Sequence, residues 1–138
     1  MSNRDKHKND NSKFKIIVVD DEKDILDIIQ KYLQKWDFAV DAYYDPVRAF
    51  KNFKTKPESY SLLLTDIRMP GMSGIELAHK IVEIKPDIKV VLMTAFESEG
   101  MPHLIINEAT VVRRDEIIRK PFRLADICDA VKKKLKKD

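Results

Sequence analysis

The sequence predicts an α/β fold: one five-stranded parallel sheet with helices on both faces. Three observations lead there. Short apolar, β-branched runs alternate with segments of helical spacing. Five such β-then-α units follow one another with short connections, and alternation of this kind implies parallel strands joined by right-handed crossovers. The 138 residues suit a single domain, long enough to bury a core without covalent staples.

Each element has its own signal. Phe14–Val19 is a β-branched run of the kind that fills a strand buried on both faces, and it stops at Asp20-Asp21-Glu22. Ile25, Ile28, Ile29, Tyr32 and Trp36 then mark one face of a helix. Phe38, Val40 and Ala42 alternate as a second strand. Asp45-Pro46 reads as an N-cap with proline at the first helical position, opening a helix that carries Val47, Phe50 and Phe53. Leu62-Leu63-Leu64 forms a third strand running into Thr65-Asp66, and a loop rich in turn formers follows through Gly74. Leu77, Ala78, Ile81 and Ile84 lie on the next helix, ended by Pro86. Val90–Met93 is a fourth strand ending at Thr94. Residues 97–114 have the weakest periodicity; Pro102 is expected to open an irregular fourth helix through Ile105 and Ala109. Ile117-Ile118 forms a short fifth strand before Lys120-Pro121, and Leu124, Ile127, Cys128, Val131 and Leu135 give a final amphipathic helix.

Composition narrows the function. The net charge of +3 divides into +2 on residues 1–13, +4 on residues 132–138 and −3 between them. The expected folded body is therefore mildly acidic, which weighs against nucleic acid as a partner. A terminal lysine run complements a helix dipole. Residues 1–13 are expected to be a flexible tail and 14–138 the domain. Cys128 is the only cysteine, which excludes an intrachain disulfide and a cysteine metal cluster; no apolar run reaches the ~18 residues of a membrane span. With no apolar stretch at the N-terminus, a cytoplasmic location is expected.

In an open parallel sheet, ligands bind at the carboxyl ends of the strands. Those ends carry Asp20 and Asp21, then Asp66, Thr94 and Lys120. Taken singly, an aspartate there caps the next helix, a threonine suits a strand and a lysine before proline is a solvated charge. Together on one edge they make a pocket of three carboxylates, a hydroxyl and an ammonium. Repelling carboxylates call for a hard divalent cation with oxygen ligands, Mg²⁺ above all. Zinc or copper would want histidine or thiolate, and His7, His79 and His103 lie elsewhere.

These residues sit in four segments: Val19-Asp20-Asp21-Glu22, Thr65-Asp66-Ile67-Arg68-Met69-Pro70-Gly71-Met72-Ser73-Gly74, Met93-Thr94-Ala95 and Lys120-Pro121-Phe122. In that order they resemble the receiver domains of two-component response regulators, over about residues 14–136, and the single-domain type of bacterial chemotaxis in particular. The resemblance implies a flavodoxin-like three-layer sandwich. It implies that Asp66 accepts a phosphoryl group from a sensor histidine kinase or a histidine phosphotransfer protein. It further implies that Asp20, Asp21, Asp66 and the backbone carbonyl of Arg68 serve Mg²⁺, with Asp20 acting through a bound water, and that Thr94 and Lys120 contact phosphoryl oxygens. No effector segment is expected beyond Asp138, so output would pass through a separate protein target. The apolar final helix could serve a homodimer, although docking onto its own core explains the same face.

Three departures from the family pattern stand out. Ile117 occupies the position where many receivers carry a mobile aromatic, and reads as core. The stretch from Thr94 to Lys120 is long and lacks the customary Ala-Gly turn. Arg68 and Phe96, two residues after Asp66 and Thr94, are expected to hinder water and prolong the phosphorylated state. The rival readings are a binding module of the same fold that ignores phosphorylation, and a Mg²⁺-dependent phosphohydrolase. The second lacks a general acid two residues after the nucleophile, where Arg68 stands. Neither a dinucleotide turn nor a phosphate-binding P-loop is present.

Overall fold

The computed structural model describes residues 11–95, 103–106, 110–113 and 116–136. In chain order the elements are β1 (Lys15–Val19), α1 (Lys23–Lys35), β2 (Ala39–Tyr43), α2 (Pro46–Thr55), β3 (Leu62–Asp66), α3 (Gly74–Ile84), β4 (Lys89–Thr94), β5 (His103–Ile105), β6 (Val111–Arg113), β7 (Ile118–Arg119) and α4 (Leu124–Lys136), with a short 3-10 turn at Pro57–Ser59. Five strands make one parallel sheet in the order β2-β1-β3-β4-β7. The order reverses between β1 and β3, and a crevice opens at such a reversal beyond the strand ends.

Strand alternation splits the core into two layers. Ile17, Val19, Leu63, Val90 and Leu92 face one side with α2 and α3, while Ile16, Val18, Leu62, Leu64, Val91 and Met93 face the other with α1 and α4. A strand buried on both faces explains why these runs are uniformly apolar rather than alternating. Asp45 caps α2 by accepting from the Val47 N–H at 3.0 Å, with Pro46 in the first turn, as expected. The apolar face of α4 buries Ile127, Cys128 and Val131 in its own core, so this face is already occupied within the chain.

The structure turns a few residues of the expected helical faces to solvent. The α1 residues most buried are Leu26, Ile29 and Leu33, whereas Ile28 is half exposed; Val47 and Ile84 also face solvent in part. The α1 stripe centres on Leu26, Ile29 and Leu33, with Ile25, Tyr32 and Trp36 packed beside it, so of the residues read as this face only Ile28 turns to solvent.

The expected fourth helix is corrected more strongly. His103–Ile105 is a strand, paired antiparallel with Val111–Arg113 in the register His103↔Arg113, Leu104↔Val112 and Ile105↔Val111. The Ile106 N–H donates to the Thr110 carbonyl at 2.9 Å and extends this pairing. Pro102 and Ala109 lie outside the described residues. The physical reason is composition: Ile105-Ile106 and Val111-Val112 are β-branched pairs, which suit a pleated surface better than a helix. Ile106 and Val112 join Ile117 in the core layer shared with α2 and α3. Residues 11–13 form a turn in which the Asn11 side chain donates to the Trp36 carbonyl at 2.7 Å.

Candidate functional site

Backbone hydrogen bonds carry each strand-end residue into place. The Asp20 N–H donates to the Tyr43 carbonyl at 3.1 Å, Ile67 N–H to Met93 carbonyl at 2.8 Å, and Lys120 N–H to Thr94 carbonyl at 2.8 Å. The parallel ladder therefore extends one residue past the formal strands, and it delivers Asp20, Asp66, Thr94 and Lys120 to one edge beside the reversal of strand order.

The side chains converge. Asp20 and Thr94 are fully buried and Asp66 is 5% exposed. One oxygen on each of Asp20, Asp21 and Asp66 lies within 4.8 Å of the others, with Asp21 at the solvent side. The Lys120 ammonium stands 3.2 Å from Asp66 Oδ2 and 2.9 Å from Asp20 Oδ2, the latter an ion pair rather than a well-aimed hydrogen bond. Asp20 Oδ1 accepts from the Glu22 N–H at 2.9 Å. Asp66 Oδ1 is buried and has no hydrogen-bond partner among the described residues. Arg68 is exposed in the loop after β3, and Phe96 lies outside the described residues.

The electrostatics follow from burial. Desolvation raises the carboxyl pKa of both Asp20 and Asp66, against the opposing pull of Lys120. Burial alone would lower the Lys120 pKa, but Glu22, Asp20 and Asp66 outweigh it and hold the ammonium charged. Three clustered carboxylates share one ammonium, an excess of negative charge that a divalent cation would offset. An orphaned buried carboxylate oxygen is costly unless a ligand reaches it. The donor set, all oxygen with no histidine or thiolate, fits Mg²⁺.

Two contributors were not assigned from sequence. The Glu22 carboxylate reaches Lys120 at 2.8 Å; its signal was its place in the acidic run Asp20-Asp21-Glu22. From sequence, Gly71 and Gly74 both fit a loop needing unusual backbone angles; the structure gives that role to Gly71, with φ of 85°, and not to Gly74. Gly74 opens α3 against the Asp66 backbone, where a Cβ would overlap the Asp66 carbonyl oxygen. Close approach, not angle, requires glycine there.

Residues 16–132 match the family model of the response regulator receiver domain. The chain belongs to that family. It is 34% identical to the response regulator receiver protein CpdR of Brucella abortus, covering 88% of this chain and 96% of CpdR. It is 32% identical to sporulation initiation phosphotransferase F of Bacillus subtilis, over 88% of this chain and 93% of that protein. The response regulator protein TrrA of Thermotoga maritima, solved in complex with Mg²⁺ and BeF, superposes with a TM-score of 0.71 at 32% identity, covering 87% of this chain and 97% of TrrA. This receiver domain thus has the five-stranded, doubly wound architecture of its relatives, with a β5–β6 hairpin where a fourth helix was expected.

Proposed function

We propose that this receiver domain is a phosphoacceptor switch that takes a phosphoryl group on Asp66 from the phosphohistidine of a sensor kinase or a histidine phosphotransfer protein. The observation that carries the reading is the state of Asp66: buried at the switch point, one oxygen held by Lys120 and the other without a partner among the described residues. A carboxylate needs no general base to act as nucleophile. A carboxylate oxygen of Asp66 attacks phosphorus, the bond from phosphorus to the donor imidazole nitrogen breaks, and its electron pair stays on that nitrogen. Such a transfer asks mainly for in-line positioning and neutralised equatorial oxygens.

Lys120 supplies a fixed positive charge beside the acceptor, and Thr94, buried at the end of β4, supplies a hydroxyl. Asp20, Asp21, Asp66 and the Arg68 carbonyl would hold Mg²⁺, which when bound offsets negative charge on the transferring group. The acyl phosphate adds up to about two negative charges beside Thr94 and the chain that follows it, enough to bias that segment towards a second arrangement. Output is then a change in association with a separate protein in the cytoplasm. The domain works as a switch rather than a turnover enzyme, since Arg68 stands where a phosphohydrolase would place its general acid. Incubation with acetyl phosphate and Mg²⁺ tests this: one phosphoryl group is expected per chain, abolished by Asp66→Asn. No labelling of the folded wild type would refute it.

A further inference from the structure

Lys120 is fully ringed by carboxylates. An ammonium has three N–H groups; Glu22 at 2.8 Å and Asp66 at 3.2 Å accept hydrogen bonds from this one, and Asp20 at 2.9 Å adds an ion pair. A phosphoryl oxygen reaching Lys120 competes with all three. The three are not equivalent. Releasing Asp20, which is fully buried, would strand a desolvated charge. Asp66 is itself the acceptor. The Glu22 side chain is 57% exposed, so water replaces its lost contact at little cost.

The local geometry of Glu22 points the same way. Glu22 is the N-cap residue of α1, yet its side chain makes no cap hydrogen bond. Its carboxylate turns instead to a lysine 98 positions away in sequence.

We propose that Glu22 is a displaceable counter-ion of Lys120: it holds the ammonium over the pocket in the unphosphorylated domain and yields it to the incoming phosphoryl group. The inference rests on phosphoryl acceptance at Asp66. Glu22 is a positioning residue, because it acts through Lys120. Its release sets a threshold on phosphoryl binding, of the size of an exposed charge pair, about two- to fivefold.

The test is titration of the full chain with beryllofluoride in saturating Mg²⁺, and separately with Mg²⁺ alone, for wild type, Glu22→Gln and Glu22→Asp. Glu22→Gln removes the charge. Glu22→Asp keeps it but is too short to reach Lys120 and favours the helix cap. Both variants are expected to bind beryllofluoride about two- to fivefold more tightly. Glu22→Gln is expected to bind Mg²⁺ no more tightly than wild type, because it removes a nearby negative charge. Tighter beryllofluoride binding without tighter Mg²⁺ binding separates displacement from a disordered pocket, which would weaken both. Unchanged or weaker beryllofluoride binding in Glu22→Gln overturns the proposal. So does wild-type behaviour in Glu22→Asp, which would assign the effect to bulk charge. If wild type shows no saturable beryllofluoride binding while Glu22 variants melt normally, phosphoryl acceptance fails and this inference with it.

Discussion

Replacing Gly74 with alanine perturbs the acceptor through the backbone alone. A Cβ at position 74 would lie 2.9 Å from the Asp66 carbonyl carbon and 3.1 Å from the Ile67 Cα, besides overlapping the Asp66 carbonyl oxygen. Carbon atoms settle about 3.5–4.0 Å apart, and the overlap with the carbonyl oxygen is worse than either carbon contact, so the start of α3 and the end of β3 must separate by about 1 Å or more. The atoms in the way are backbone and cannot swing aside. Overpacking of this kind costs about 1–3 kcal/mol. The same shift moves Asp66 relative to Lys120, now 3.2 Å away, and misplacing a reacting group by about 1 Å costs on the order of 100-fold in rate. Gly74→Ala should therefore lose about 1–3 kcal/mol in urea denaturation and about 10- to 100-fold in the rate of labelling by acetyl phosphate. Gly71→Ala is the control: its φ of 85° makes the substitution strained, but no described residue beyond its chain neighbours lies within 4 Å of the added carbon. It should cost about 1–2 kcal/mol with labelling unchanged. A folded Gly74→Ala that labels at the wild-type rate would show that this contact does not position Asp66, as would an equal rate loss in Gly71→Ala.

Further outcomes follow from the charge cluster and the hairpin. Because burial raises the Asp66 pKa in the folded state, ionising it costs stability as pH climbs from the unfolded value of 3.8. Asp66→Asn removes that buried charge and should stabilise the metal-free domain at neutral pH, by on the order of 1 kcal/mol, measured by thermal melting in EDTA; a lower melting temperature would contradict this. Lys120→Ala in EDTA leaves Asp20 and Asp66 without their cation and should cost about 3–5 kcal/mol in urea denaturation. Saturating Mg²⁺ should stabilise wild type by about 2.7 kcal/mol at 100 times its dissociation constant, an increment that Asp66→Asn should reduce. Val112 is 1% exposed in the hairpin, so Val112→Ala should cost about 2 kcal/mol, whereas a residue on a solvent-facing helix would lose under about 0.5 kcal/mol.

Most of the site was legible because the strand ends carry it. Each apolar run stops at a polar residue, and parallel pairing forces those residues to one edge; Asp20, Asp66, Thr94 and Lys120 could be placed from that rule alone. Glu22 was not, because its role depends on a contact across 98 positions that no local pattern encodes. The reason for Gly74 was likewise invisible, since it lies in how closely α3 approaches β3. In residues 97–114 the β-branched pairs around residues 105 and 111 competed with a weak helical spacing, and pairing with one another decided the outcome for the described part of that stretch. On α1 and α3 the expected faces pack inward except at Ile28 and Ile84, which sit at the solvent edge of those faces.

The most direct test of an aspartyl phosphate at position 66 is reductive trapping. Borohydride converts an acyl phosphate of aspartate to homoserine, and peptide mass mapping then reports where it formed. After treatment with acetyl phosphate and Mg²⁺, homoserine is predicted at position 66 and at no other aspartate. Conversion at Asp20 or Asp21, or none anywhere in folded protein, would contradict the account.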